Sequence, residues 1–99
     1  MRQEELKVKH VEFMPETKEE GILYISKRFS LAIHLCPCGC GEQVVTPIKG
    51  SFPGSKNRPD CWDFTEHEDG TVTLSPSVGN FEFPCKSHYF IRRNRIIWV

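Results

Sequence analysis

A small single domain, mainly β and made of short antiparallel strands and hairpins, is the fold class this sequence predicts, and three observations predict it. Apolar and β-branched runs are only about five residues long, and Gly, Pro, Ser, Asn or Asp punctuate them. Two of the gaps carry turn chemistry suited to hairpins, Asp69-Gly70 and Arg93-Asn94. Three cysteines crowd into CPCGCG at residues 36–41, with a fourth in FPCKSHYF at Cys85. A chain of 99 residues buries only a modest core and gains much from such a staple.

Taken in order, the opening EELKVKHVEF suits either a strand or a short helix. ILYIS at Ile22–Ser26 and LAIHL at Leu31–Leu35 are strands, bounded by Gly21 and Ser30. EQVVT follows the cysteine cluster and stops at Pro47, which has no N–H to give a ladder. Residues 48–60 predict a flexible loop, because Gly50, Pro53, Gly54 and Pro59 sit there among Ser, Lys and Asn. WDFTEH and TVTLS then pair across Glu68-Asp69-Gly70. HYFIR pairs with RIIWV across Arg93-Asn94, where Asn94 tolerates positive φ. Trp62, Phe64, Phe81, Phe83, Phe90 and Trp98 are expected to supply much of the core. No repeat or heptad breaks the chain, so residues 1–99 read as one domain.

Charge narrows the function classes. Thirteen basic and thirteen acidic residues cancel, which argues against a nucleic-acid binder working by bulk electrostatics. The segment after Cys85 is nonetheless basic, with Lys86, Arg92, Arg93 and Arg95, and a solvated face is its simplest reading. No apolar run approaches membrane-spanning length, and MRQEELKVKH has no apolar signal-peptide stretch. A cytoplasmic protein is expected, and there thiols stay reduced. The odd count of five cysteines also weighs against a disulfide framework.

The cysteines therefore point to a metal. Zinc favours tetrahedral thiolate and imidazole ligands. Gly39 and Gly41 let the backbone turn tightly enough for Cys36, Cys38 and Cys40 to converge, and Cys85 and His88 offer a second half-site at C-x-x-H spacing. That is five candidate ligands for a four-coordinate ion. If Cys36, Cys38, Cys40 and Cys85 hold zinc, the site is closed and structural and His88 is free for other work. If His88 ligates, one clustered cysteine is released as a nucleophile. Cys61, beside Trp62, reads as a buried apolar thiol, and His34 as a ligand or a support for one. His67, near a turn tip, is expected in solvent.

A histidine held three residues beyond a metal ligand is well placed to act as a base. TLSPSVGN lies between the two cysteine clusters, with Ser75 and Ser77 flanking Pro76. Either serine can serve as an acyl-transfer nucleophile with His88 as general base, and the backbone N–H groups around Val78 and Gly79 as oxyanion donors. The bland reading is a Ser-Pro-Ser turn whose hydroxyls cap backbone groups. Asp60, Asp63 and Asp69 are all conceivable as the group orienting His88.

Together, CPCGCG, TLSPSVGN, PCKSHYFIRR and the closing RIIWV resemble a small bacterial family of zinc-binding peptidases, long labelled a domain of unknown function and encoded beside bacterial ubiquitin-like conjugation genes. The resemblance runs from about Leu31 to Val99, with the Lys49–Asp60 loop unaligned. It implies a peptidase that processes or deconjugates a ubiquitin-like protein, with that modifier and its conjugates as partners. It also implies a structural zinc on Cys36, Cys38, Cys40 and Cys85, and catalytic positions at Ser75 or Ser77 and at His88. The first thirty residues match no motif and are left for recognising the modifier. Two alternatives stand beside this expectation: a zinc-dependent peptidase with His88 as a ligand, and a non-enzymatic zinc-ribbon-like module binding through the Arg92–Arg95 hairpin.

Overall fold

The computed structural model describes residues 3–49 and 61–99 and is all strand. Lys7–His10 (β1), Ile22–Ser26 (β2), Leu31–Leu35 (β3) and Gln43–Pro47 (β4) form one sheet in that order. Asp63–Glu66 (β5), Val72–Gly79 (β6), His88–Arg92 (β7) and Arg95–Trp98 (β8) form the other, also in chain order. Every pairing is antiparallel except β1 with β2, which run parallel. The two sheets meet at both margins. Glu5 bridges Arg95 of β8 just before β1 begins, and Ile48 bridges Trp62 just after β4 ends. The strands thus close into a flattened barrel, which leaves little bare sheet edge. No helix among the described residues is long and apolar enough to cross a membrane.

Alternation explains the core. Leu23 and Ile25 on β2, Ala32 on β3 and Val44 on β4 point inward from one sheet. Val72, Leu74 and Val78 on β6, Tyr89 and Ile91 on β7 and Ile96 on β8 meet them from the other. Nearly all are spaced by two, as a strand with one buried face requires. The β7–β8 hairpin turns through Arg93 (φ 48°) and Asn94 (φ 66°), the paired left-handed residues of a type I′ turn. Asn94 also anchors that turn to β6, its Oδ1 accepting from the Val72 N–H and its own N–H donating to the Val72 carbonyl.

The strand β6 is irregular where it matters most. Leu74 pairs with Ile91 and Val78 with Tyr89, so four steps on β6 span two on β7. The Ser75-Pro76-Ser77 segment is this bulge, and a bulge re-aims the side chains it carries.

Three expectations meet differences here. Trp62, Phe64, Phe83 and Trp98 do pack against the core, but among the described residues its central cluster is mostly aliphatic, with Tyr89 as the aromatic ring in it. Phe81 is 63% exposed and Phe90 half-buried, because both lie on the side of the second sheet that faces away from the core. The expected loop at 48–60 begins later than its composition suggested. Ile48 is buried and its N–H donates to the Ser30 carbonyl, which extends β4 by one ladder step. The rest of that loop, 50–60, lies outside the described residues.

Candidate active site and metal centre

The turn after β3 builds the cysteine centre. The Cys36 N–H donates to the Glu42 carbonyl and the Gly39 N–H to the Cys36 carbonyl, closing a tight loop. Gly39 (φ 93°) and Gly41 (φ 83°) take left-handed conformations that a side chain would oppose. Cys36 is buried at its base, Cys38 half-buried, and Cys40 exposed. Cys85 arrives from the β6–β7 connection. The four sulfurs lie within 4.8 Å of one another. Cys36 and Cys38 are 3.4 Å apart, Cys36 and Cys85 3.9 Å, and Cys40 and Cys85 3.7 Å. Disulfide bonding needs about 2 Å, so these are separate thiols. Four thiolates on a tetrahedral zinc at about 2.3 Å would stand about 3.8 Å apart. The spacing fits such an ion, and His88 is not among the clustered groups.

Electrostatics favours a cation there. Burial raises the Cys36 and Cys38 thiols above their usual range, whereas the Ser87 backbone N–H brings Cys85 down to about 7. Crowded thiols of this kind resist ionising together, and a metal removes the conflict.

A buried polar chain ties this centre to the barrel interior. Ser87 Oγ lies 3.1 Å from Cys36 Sγ and accepts from Asn80 Nδ2 at 2.9 Å. Asn80 Nδ2 also reaches the Tyr89 hydroxyl at 3.4 Å, which sits 2.6 Å from His34 Nε2. Burial holds His34 down at about 4, so its imidazole is neutral, and pushes the Tyr89 phenol above its ordinary range. His34 is therefore joined to the cysteines through three side chains and does not ligate directly. Asn80, Ser87 and Tyr89 were not singled out by sequence. The available signal was the run S-H-Y, in which an inward Tyr beside an outward His needs a hydroxyl partner.

On the far side of β7 stands a second constellation. Ser77 Oγ is 2.8 Å from His88 Nε2. Strand pairing sets His88 opposite Gly79, and the missing side chain leaves room that the Phe81 ring fills. A Cβ on Gly79 would lie 2.5 Å from Phe81 Cε2. Phe81 meets the His88 ring edge-on with centroids 5.4 Å apart, and Phe90 flanks it at 6.4 Å. Two aromatic rings thus hold the imidazole in place. Ser75 opens the bulge, exposed and opposite Asp63, and the hydrogen bond to His88 belongs to Ser77.

Among the described residues no carboxylate bonds His88. Asp63 pairs with Lys49 at 3.1 Å, and Asp69 accepts from Thr71 within its turn. Asp60 lies outside the described residues. His67 bonds the Thr73 hydroxyl at 2.7 Å and is half-buried, not fully in solvent. Cys61 is buried.

No curated protein and no solved structure matches this chain. The model of one protein family, described as the bacterial ubiquitination-like system serine protease BubE, matches residues 10–99. That span includes the seven metal and catalytic candidates, Cys36, Cys38, Cys40, Cys85, Ser75, Ser77 and His88. With nine-tenths of its length matched, the chain belongs to the BubE family of bacterial ubiquitination-like system serine proteases.

Proposed function

We propose that this protein is a cytoplasmic peptidase that processes or deconjugates a ubiquitin-like protein, with Ser77 as nucleophile, His88 as general base and a structural zinc. The observation that carries this reading is the 2.8 Å contact between Ser77 Oγ and His88 Nε2, on a bulge, in a chain of a serine protease family. The Ser77 hydroxyl donates to Nε2, and as Oγ attacks the tail carbonyl His88 takes the proton. His88 then returns it to the leaving amine, and water repeats the sequence to release the acyl group. Nδ1 of His88 has no carboxylate partner among the described residues, so Phe81 and Phe90 do the orienting that a third acid does in a triad.

Strand pairing supports an oxyanion donor. The Asn80 N–H donates to the Ser87 carbonyl, which makes Val78–Tyr89 the next bonded pair and turns the Gly79 N–H away from β7. That N–H lies two residues from Ser77 with no ladder partner, where it can meet the developing oxyanion.

Bound to Cys36, Cys38, Cys40 and Cys85, zinc would supply fixed geometry and no open coordination position. The four-cysteine set supports a structural centre over a zinc-dependent peptidase, because His88 is engaged by Ser77. Separate Ser77→Ala and Ser75→Ala variants test the assignment. Loss of cleavage in Ser77→Ala alone, with metal content unchanged, is the expected result; loss in Ser75→Ala alone overturns it.

A further inference from the structure

Among the described residues, the barrel has a seam where two strand edges face each other unpaired. β5 pairs with β6 only as far as Ser75, so among the described residues the second half of β6, Ser77 to Gly79, has no strand neighbour on that side. Across a cleft of about 360 Å³ lies β4, whose Gln43 and Val45 line it together with Trp62, Gly79, Phe81 and Phe83. Backbone directions follow from the ladder. The Cys36 N–H donates to the Glu42 carbonyl, and the Ile48 N–H to the Ser30 carbonyl. Even-numbered residues of β4 therefore bond β3, and Gln43 and Val45 turn their N–H and carbonyl groups into the cleft. The Pro47 carbonyl points the same way and accepts from the Trp62 N–H, as this alternation demands. Among the described residues no group pairs with the outward backbone of Gln43, Val45 or Gly79. Trp62 Nε1 donates to the Ser77 carbonyl at 3.4 Å and marks the closed end of the seam.

We infer that the peptide tail of the protein substrate binds in this seam as an added β-strand, paired with the outward edge of β4 at Gln43 and Val45 and running past Gly79 to Ser77. Three features favour an extended peptide over a small molecule or a second copy of the chain. Both walls offer backbone donors and acceptors at strand spacing, which a peptide main chain satisfies and a compact ligand does not. The cleft is walled on one side by Val78 and Gly79, which directly follow the nucleophile on β6. Its remaining lining is mostly apolar, with Val45, Trp62, Phe81 and Phe83 beside Thr46, Asn80 and Glu82, so apolar contact dominates its side-chain demands. Gln43 to Val45 spans about 7 Å at strand rise, which three tail residues cover. Recognition is thus by main chain, and the enzyme requires an unfolded, extended tail while tolerating varied side chains. This rests on Ser77 being the nucleophile.

The experiment uses the zinc-loaded protein and two substrates: the system's own ubiquitin-like protein carrying a C-terminal aminomethylcoumarin, and p-nitrophenyl acetate, which acylates a serine without filling the seam. Val45→Pro removes one cleft-facing N–H and leaves the bonds of β4 to β3 intact. We expect kcat/KM for the protein substrate to fall about tenfold, the worth of one or two hydrogen bonds, with p-nitrophenyl acetate turnover and melting temperature unchanged. Unchanged cleavage of the protein substrate overturns the inference. If the variant misfolds, wild-type enzyme decides. Tail amides before the scissile bond are replaced one at a time by esters, each removing one N–H. Losses at alternate positions support strand addition, and equal tolerance at all positions overturns it. Ser77→Ala separates the two ideas: activity retained in that variant removes the nucleophile assignment, while the alternate-position pattern still scores the seam.

Discussion

The two constellations on the β6–β7 segment differ in almost every physical respect, although they share a backbone. The cysteine centre is crowded: four sulfurs within 4.8 Å, a turn locked by glycines, and a buried chain from Ser87 through Asn80 and Tyr89 to His34. Ser77 and His88 are half-buried and share a single hydrogen bond. Cys85 lies three residues before His88 and Ser87 one, so the rigid site fixes the strand that carries the reactive one. A metal saturated by four cysteines would make the first region inert and leave the proposed chemistry to the second. On the proposed reading, a small barrel would keep a reactive pair on its surface because a metal on the four cysteines holds the adjoining loop still.

The contrast breaks first at the metal. Removing zinc with a strong chelator, or substituting Cys36→Ser, is expected to cost on the order of 10 kcal/mol of folding free energy. Circular dichroism would show a broad or absent thermal transition; a sharp transition at the original temperature would mean that the centre does not hold the fold. Next comes Ser77→Ala, expected to lower kcat at least about a thousandfold, with unchanged zinc content by atomic absorption. Its melting curve should superimpose on that of the parent.

Smaller effects sharpen the boundary between the regions. Tyr89→Phe removes the partner that His34 Nε2 has among the described residues, where Nδ1 of the same ring is already buried without one. A loss of about 2 kcal/mol in denaturant unfolding is expected, with kcat of the folded enzyme kept. Gly79→Ala should behave in the opposite way. Its Cβ meets only the far edge of an exposed Phe81 ring, which can swing aside, so stability changes little. His88 loses its edge contact and kcat falls about tenfold, a modest misplacement penalty. Adding Phe81→Ala to Gly79→Ala should not restore activity, since the ring itself is what positions His88.

How legible all this was differs between the two regions as well. CPCGCG and Cys85 announce a metal site because thiolate ligands must be close in space and three are already close in sequence. The antiparallel hairpins at Asp69-Gly70 and Arg93-Asn94 are equally local, and their turn residues state them. The parallel pairing of β1 with β2 is not local, and nothing in EELKVKHVEF favours it over a helix. The choice between Ser75 and Ser77 was hidden for a different reason. Simple alternation gives both the same face, and only the register slip between Leu74 and Val78 separates them. Phe81 looked like core because large aromatics usually are; its place over a glycine beside His88 depends on the partner strand. The seam between β4 and β6 was invisible altogether, since it lies where the described pairing of β5 with β6 stops, at Asp63 opposite Ser75.

The central claim is that chemistry resides at Ser77 and His88 and not at the cysteines. A fluorophosphonate labels an activated serine covalently, and peptide mass spectrometry of the zinc-loaded protein reads where it lands. The account predicts one label per chain, on Ser77, abolished in His88→Ala while zinc content is unchanged. A label on Ser75 or on a cysteine, or labelling of Ser77 that persists without His88, would contradict it.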